Sequence, residues 1–317
     1  MKILQYILLR VSGVLLTTLV GAAVVFFAMQ AMPGDPALSA LGEHASPEAI
    51  ARFRAEHHLD APLAQQFLHW LWGIMSADLG QSMTLASDVP ISHLLVARIP
   101  NTVFIGIYAI LLALMLAMTM GTIAAIKHGK APDTIATSFA VLGVSMPDFW
   151  LGFVLILVFA LTLGLFPAYG FESPLVSFAG ALHSGFLPAL AVAAPMAAVF
   201  ARTLRSALLE NMRKDYVTVA RSFGFSRSFV FWNYIFRNSI IAFVVIVGLQ
   251  VRYLLGGVVV IERVFGIPGI GSLMVDAAFA RDYAVVQACA IVFLVTVLVV
   301  NLVVDIVCAL LDPKRTR

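Results

Sequence analysis

Six stretches of this chain are each apolar for about 20 residues or more, the length an α-helix needs to cross the hydrocarbon core of a bilayer. They lie near 11–31, 101–126, 135–166, 186–209, 239–261 and 284–311. Soluble domains are close to half apolar and a quarter charged, whereas this chain is 61% hydrophobic and 12% charged. One aqueous core cannot hide that much apolar surface, so lipid must cover the remainder. The expected fold class is an all-α integral membrane protein with six transmembrane helices. The first stretch outruns the apolar core of a signal peptide, about 7–15 residues, and ends without a small-x-small cleavage site, which predicts a retained helix.

Lysine and arginine placement orients the helices. Fourteen of the 20 flank the stretches on one side: Lys2 and Arg10, Lys127 and Lys130, the cluster from Arg202 to Arg237, and Lys314, Arg315 and Arg317. Five fall on the other side, at Arg52, Arg54, Arg98, Arg263 and Arg281, and Arg252 lies inside the fifth stretch. Cytoplasmic loops carry the positive excess, so both termini are expected in the cytoplasm. Residues 1–32 then form the first helix, 33–100 an extracytoplasmic loop with amphipathic helices, and 101–317 a five-helix core with a cytoplasmic loop at 210–238. In the outer loop, Pro33-Gly34-Asp35-Pro36 is a turn. Ser46-Pro47-Glu48 starts a helix with proline at its first position. Leu63, Phe67, Trp70, Leu71 and Ile74 share one helical face, and Trp70 and Trp72 suit the headgroup zone.

Several function classes are excluded. The net charge of +3 comes without a basic face interleaved with aromatics, which argues against nucleic acid. No Gly-x4-Gly-Lys-Ser/Thr loop and no Gly-x-Ser-x-Gly elbow occurs, so no catalytic residue and no nucleotide or other cofactor site is expected. Gly266-x-x-Gly269-x-Gly271 has the wrong spacing for a dinucleotide fingerprint. The histidines fall in loops, and the adjacent His57 and His58 diverge by about 100° on a helix, so no metal site is expected. Cys289 and Cys308 share the last stretch, roughly 28 Å apart along a helix, too far for a disulfide.

The basic loop at 210–238 is too ordered in its residues for a mere connection. Residues 209–223 predict one helix, closed by Gly224 in the left-handed conformation of a C′ position. Ser226 can cap a second helix over 227–237. Val217, Ala220 and Phe223, spaced as helix-in-groove anchors, are expected to face a partner.

The pattern Asp215-Tyr216-Val217-x-x-Ala220-Arg221-x-x-Gly224, ending in Arg237-Asn238, resembles the EAA loop of ABC importer permeases of the dipeptide, oligopeptide and nickel branch. Further blocks of that branch follow in order: Pro33-Gly34-Asp35-Pro36, Asp78-Leu79-Gly80-Gln81-Ser82, Val144 to Leu151, Gly248-Leu249-Gln250, Leu254 to Gly257, Phe265 to Gly271, Arg281-Asp282-Tyr283, Asn301 to Asp305, and Leu311-Asp312-Pro313. The sequence departs from the branch in three places. Ala242 stands where a proline is frequent, Thr218 and Val219 replace the Glu and first Ala of the general pattern, and Arg252 occupies a position usually small or apolar.

The resemblance implies the type I ABC importer permease fold in a bacterial inner membrane. It implies a second, similar permease, two ATPase subunits that bind ATP and Mg and receive the 210–238 loops, and an extracytoplasmic substrate-binding protein. It leaves the cargo open between di- or oligopeptides and nickel or a metal chelate, with a lean to peptide because no histidine or cysteine site lines the helices.

Ionisable residues inside membrane helices are expensive and usually face the bundle interior or a water path. Asp148 and Arg252 each lie roughly 20 Å above the inner end of a straight helix, which predicts that they pair or jointly line the path. Met146 and Phe149 flank Asp148 and are candidates for a hydrophobic constriction. Asp305 lies nearer the inner face. A competing class, the ATP-independent secondary transporter, is expected to show inverted repeats and helices broken at the midplane; no repeat between the halves is visible.

Overall fold

A computed structural model describes residues 2–31, 35–42, 44–56, 58–86 and 89–311. Within these, the side chains of residues 2–9, 36, 39, 242, 251–253, 255 and 307–311 are not described. The described residues are helical apart from loops and one isolated bridge between Gln81 and Pro90. In chain order the helices are α1 (Lys2–Gln30), α2 (Pro36–Leu41), α3 (Pro47–Glu56), α4 (Leu63–Met75), α5 (Ile91–Ile126), α6 (Ala131–Ser145), α7 (Asp148–Leu155), α8 (Phe178–Met212), α9 (Asp215–Ser222), α10 (Arg227–Val230), α11 (Arg237–Phe265), α12 (Ile270–Phe279) and α13 (Tyr283–Leu311). Wide π-type turns extend α7 over Ile156–Thr162 and join α10 to α11 over Phe231–Phe236. Segments of α1, α5, α8, α10–α11 and α13 are long and apolar enough to cross a membrane, and the bent pair α6–α7 passes the same test taken together, as does the end of α11 with α12.

The chain forms two compact units. One contains residues 103–267 with 2–6 and 300–311. Its centre is α8, which packs against α6, α7 and α11. Ser177 starts α8 by accepting from Gly180 N at 3.0 Å. Helices in lipid gain no hydrophobic drive from one another, so small residues that admit close backbones become the glue. Ala189, Ala193, Ala197 and Ala201 of α8 are buried, with Phe200, Leu204 and Leu208 filling between them. A Cβ on Gly121 of α5 would stand 2.8 Å from the carbonyl oxygen of Ala201, and one on Gly143 of α6 would stand 3.1 Å from Ala198 Cβ. Gly121→Leu must therefore push the α5 and α8 backbones apart rather than displace a flexible side chain. Overpacking of this kind costs about 1–3 kcal/mol, so the purified protein is expected to melt earlier and in lower yield. An unchanged melting midpoint would contradict the close α5–α8 approach.

The third apolar stretch corrects an expectation. It is not one helix over 135–166: α6 stops at Ser145, α7 begins at Asp148, and the two are bent by 111°. Met146 is extended at φ −95° and ψ 130°, the conformation favoured before a proline. The depth of Asp148 read along a straight helix falls with that helix. The turn before α6 is closed by Asp133, whose buried carboxylate accepts from Arg205 Nε at 2.6 Å and Nη2 at 2.8 Å. The same carboxylate accepts from Gly129 N and meets His128 Nδ1, both at 2.9 Å. A bidentate guanidinium–carboxylate pair fixes geometry as well as charge, and here it ties α6 to α8.

The second unit contains residues 7–102 and 268–299. Its core is Ile91, Leu95, Ile270, Leu273, Ala277, Val285 and Cys289. Asp282 is fully buried, and its Oδ2 accepts from Ser82 Oγ (2.6 Å), Met83 N (2.9 Å), Thr84 N (3.0 Å) and Leu85 N (3.2 Å). Its Oδ1 accepts from Val285 N at 3.2 Å, at the start of α13. The blocks Asp78–Ser82 and Arg281–Tyr283, 200 residues apart at the Ser82–Asp282 bond, thus meet in one carboxylate cradle. The expected helix start at Ser46 is present, with Ala49 N donating to Ser46 Oγ at 3.2 Å. Asp35 caps α2 through Ala37 N and also pairs with Arg54, a hydrogen bond that raises the guanidinium above its ordinary value. Pro33, Gly34, His57, Asp312, Pro313, Lys314, Arg315 and Arg317 lie outside the described residues.

Candidate docking loop and translocation path

The loop at 210–238 is built from three short pieces. α8 ends at Met212 with Arg213 as its cap, and α9 begins afresh at Asp215, so the single helix expected over 209–223 is broken at Arg213-Lys214. Asp215 in the first turn and Arg221 in the last turn complement the helix dipole. Lys214 bonds Glu210 at 2.9 Å, which raises its ammonium above the ordinary value. Gly224 has φ +80°, the left-handed conformation expected of it, and Ser226 Oγ accepts from Phe229 N at 3.3 Å to cap α10. The second helix does not end at Arg237: it passes through the π-type turn into α11.

A polar network fixes α9 against α8 and α11. Tyr216 OH donates to Asn211 Oδ1 at 2.7 Å. Asn211 Nδ2 donates to Ser239 Oγ and to Ala207 O, both at 3.0 Å. Asn238 Nδ2 donates to Tyr234 O at 2.7 Å and reaches Tyr216 OH at 3.5 Å. Tyr216 and Asn238, singled out in the sequence as docking residues, meet as fasteners of the loop. Asn211 and the fully buried Ser239 belong to the same network and were missed. Their only signal was a polar residue at each edge of an apolar stretch.

The face turned outward also differs from expectation. Val217 is 1% and Ala220 5% exposed, both packed into the chain's own core, so they cannot be anchors in a partner's groove. Phe223 is 78% exposed, and Val219, Phe225 and Phe229 are exposed with it. Phe225 and Phe229 stack at 5.2 Å between ring centroids. Arg221 and Arg237 are exposed on the same loop. An apolar, partly aromatic knob on a hydrogen-bonded mount is suited to insertion into a groove.

Asp148 opens α7 immediately after the Pro147 break. A Cβ on Gly257 of α11 would stand 2.6 Å from Asp148 Oδ2, so the missing side chain at Gly257 is what leaves room for the carboxylate. One residue earlier, Gly256 faces open space. Phe149 is exposed and Met146 half-buried beside the break. No ion pair to Asp148 is present among the described residues, and the Arg252 side chain, its expected partner, lies outside them.

Comparison with known proteins places this architecture. The crystal structure of an amino acid ABC transporter with histidines superposes with a TM-score of 0.55 at 14% identity, over 68% of this chain and 94% of that one, a likeness of fold. A peptide transport system permease protein of Brucella abortus is 38% identical over 308 residues, covering 97% of this chain and 98% of its own. A glutathione transport system permease protein of Salmonella typhimurium is 36% identical over 310 residues, covering 98% of each. The family model for the binding-protein-dependent transport system inner membrane component matches residues 117–317, and the model for the N-terminal region of such components matches 3–106. A broken helix alone would also suit a secondary transporter, but these matches decide between the two: the chain belongs to the binding-protein-dependent inner-membrane components, the multi-pass permease subunits of ABC importers.

Proposed function

We propose that this chain is one of two similar permease subunits of an importer that carries di- and oligopeptides into the bacterial cytoplasm, driven by two partner ATPases that bind ATP and Mg. The observation that carries the coupling role is the 210–238 loop. Its Asn211–Tyr216–Asn238 network holds α9 rigidly, while Val219, Phe223 and the stacked pair Phe225–Phe229 are exposed to an ATPase groove. A rigid mount transmits displacement that a flexible loop would absorb. The lysine and arginine excess supports a cytoplasmic position for this loop and both termini. The peptide and glutathione permeases among the relatives favour a peptide cargo over nickel or a metal chelate. A substrate-binding protein delivers the cargo from outside.

Asp148 is the residue we assign to the cargo's α-ammonium, beside the bare Gly256-Gly257 strip, with Met146 and Phe149 as the apolar constriction and Arg252 as a candidate for the carboxylate end. The test is uptake by the whole transporter in proteoliposomes, with free and N-acetylated dipeptides compared. Asp148→Asn is expected to raise KM for the free peptide on the order of tenfold, the worth of one charge-assisted hydrogen bond, and to leave the acetylated one unchanged. Equal effects on both would sink the ammonium assignment. Transport by this chain alone without ATP would overturn the importer reading.

A further inference from the structure

A cavity of about 600 Å³ lies within the unit formed by residues 7–102 and 268–299. None of the docking or path residues lines it. Its size falls in the usual range for small-molecule sites, about 300–1,000 Å³. One wall is the last turn of α1, at Phe26, Met29 and Gln30, and another is α4. α1 is an apolar membrane-crossing helix that ends at Gln30, and α4 is amphipathic, with Leu68 and Trp72 exposed. The end of a span beside an amphipathic helix marks the level where hydrocarbon gives way to headgroups.

The polar lining combines two histidines, several glutamines, a serine and one carboxylate. Among the described residues Asp78 supplies the one carboxylate, and no lysine or arginine lines the cavity. The imidazoles of His58 and His69 are 5.4 Å apart between ring centroids. Gln66 is already engaged, donating to Leu59 O at 2.9 Å and Ala61 O at 2.8 Å and accepting from Gln30 at 3.1 Å, so this wall is held in place. Trp70 and Tyr283 add aromatic rings.

The backbone gives a second, independent sign. Among the described residues the non-glycine positions with left-handed φ are His58 (53°), Ala77 (59°) and Arg281 (56°). His58 lines the cavity, Ala77 lies between the lining residues Ser76 and Asp78, and Arg281 is two residues before the lining Tyr283. A side chain makes this backbone conformation unfavourable, and strain of this kind gathers at ligand sites.

We propose that this cavity binds a phospholipid with an ammonium-bearing, zwitterionic headgroup. The ammonium meets Asp78 and the ring faces of Trp70 and Tyr283, as cations do over aromatics. The phosphate meets the N–H groups of His58 and His69, and the acyl chains follow the apolar length of α1. A lining without lysine or arginine among the described residues disfavours a purely anionic headgroup.

The test is native mass spectrometry of the assembled transporter in mild detergent, with phosphatidylethanolamine and phosphatidylglycerol offered at equal mole fraction. The wild type is expected to retain phosphatidylethanolamine on the order of tenfold better, the worth of one charged contact. Asp78→Asn keeps the oxygen that accepts from Gly80 N and so keeps the turn; it is expected to bring retention down to the phosphatidylglycerol level with the assembly and its melting midpoint unchanged. Equal retention of the two lipids by the wild type overturns the proposal without recourse to any variant. So does undiminished selectivity in Asp78→Asn, or displacement of the lipid by dipeptide, which would make the cavity a stretch of the transport route.

Discussion

Asp282→Ala is expected to release the segment at 82–85 and to lower the melting midpoint of the purified protein by about 10 °C, from a loss of about 3–5 kcal/mol. The substitution removes the acceptor of one hydroxyl and four backbone N–H groups at once, in a place with no access to water. A buried donor left without a partner costs its full desolvation, not merely the net value of the lost bond. Asp282→Asn gives the sharper comparison. Its amide keeps the shape but turns an NH2 toward groups that are themselves donors, so it should fall between wild type and alanine. Limited proteolysis supplies a local readout, with cutting near Met83–Leu85 rising in the order wild type, asparagine, alanine. An alanine variant with wild-type melting and no new cutting would show that the cradle is not what holds the segment.

The second large effect is expected at the proposed coupling loop. Gly224→Trp should abolish peptide uptake, a fall on the order of a hundredfold or more as at interface hot spots, while the chain still inserts and is recovered in normal yield. A Cβ at Gly224 meets nothing within 4 Å, so within the chain itself no contact opposes the first carbon of a side chain there. What a non-glycine residue must accept there is φ +80°, about 1–2 kcal/mol. Gly224→Ala isolates that strain, and Phe223→Ala isolates the loss of the knob. If tryptophan behaves like alanine in uptake and in substrate-stimulated ATP hydrolysis, the surface around Gly224 does not contact the ATPase. If uptake falls while hydrolysis persists, the loop transmits the stroke.

The six crossings were legible because a bilayer demands a length, and length can be counted. The break in the third was not. Pro100, Pro188 and Pro195 lie inside unbroken helices of this chain, yet Pro147 ends one. In lipid, neighbouring helices can satisfy the carbonyl that a proline orphans, so sequence alone does not separate a tolerated proline from a breaking one. The loop at 210–238 stood out as a pattern of residues, but its facing could not be read. α9 carries apolar side chains on two sides, Val217 and Ala220 on one and Val219 on the other, and eight residues are too few for periodicity to choose. The Asn211–Ser239 contact spans 28 residues and joins two elements whose packing no local signal encodes.

The wide turn at Phe231–Phe236 sets the angular phase of α11. Such turns amount to one residue inserted into an α-helix, and one residue corresponds to a rotation of about 100°. Without the insertion, α11 would be a smoother rod, but Asn238 and Ser239 would point away from Tyr216 and Asn211. Deletions in this short segment are therefore coded as changes of azimuth rather than of length. The irregular ladder is the setting that turns polar side chains of a membrane-crossing helix toward a surface helix, and gaining or losing one residue here would undo that alignment.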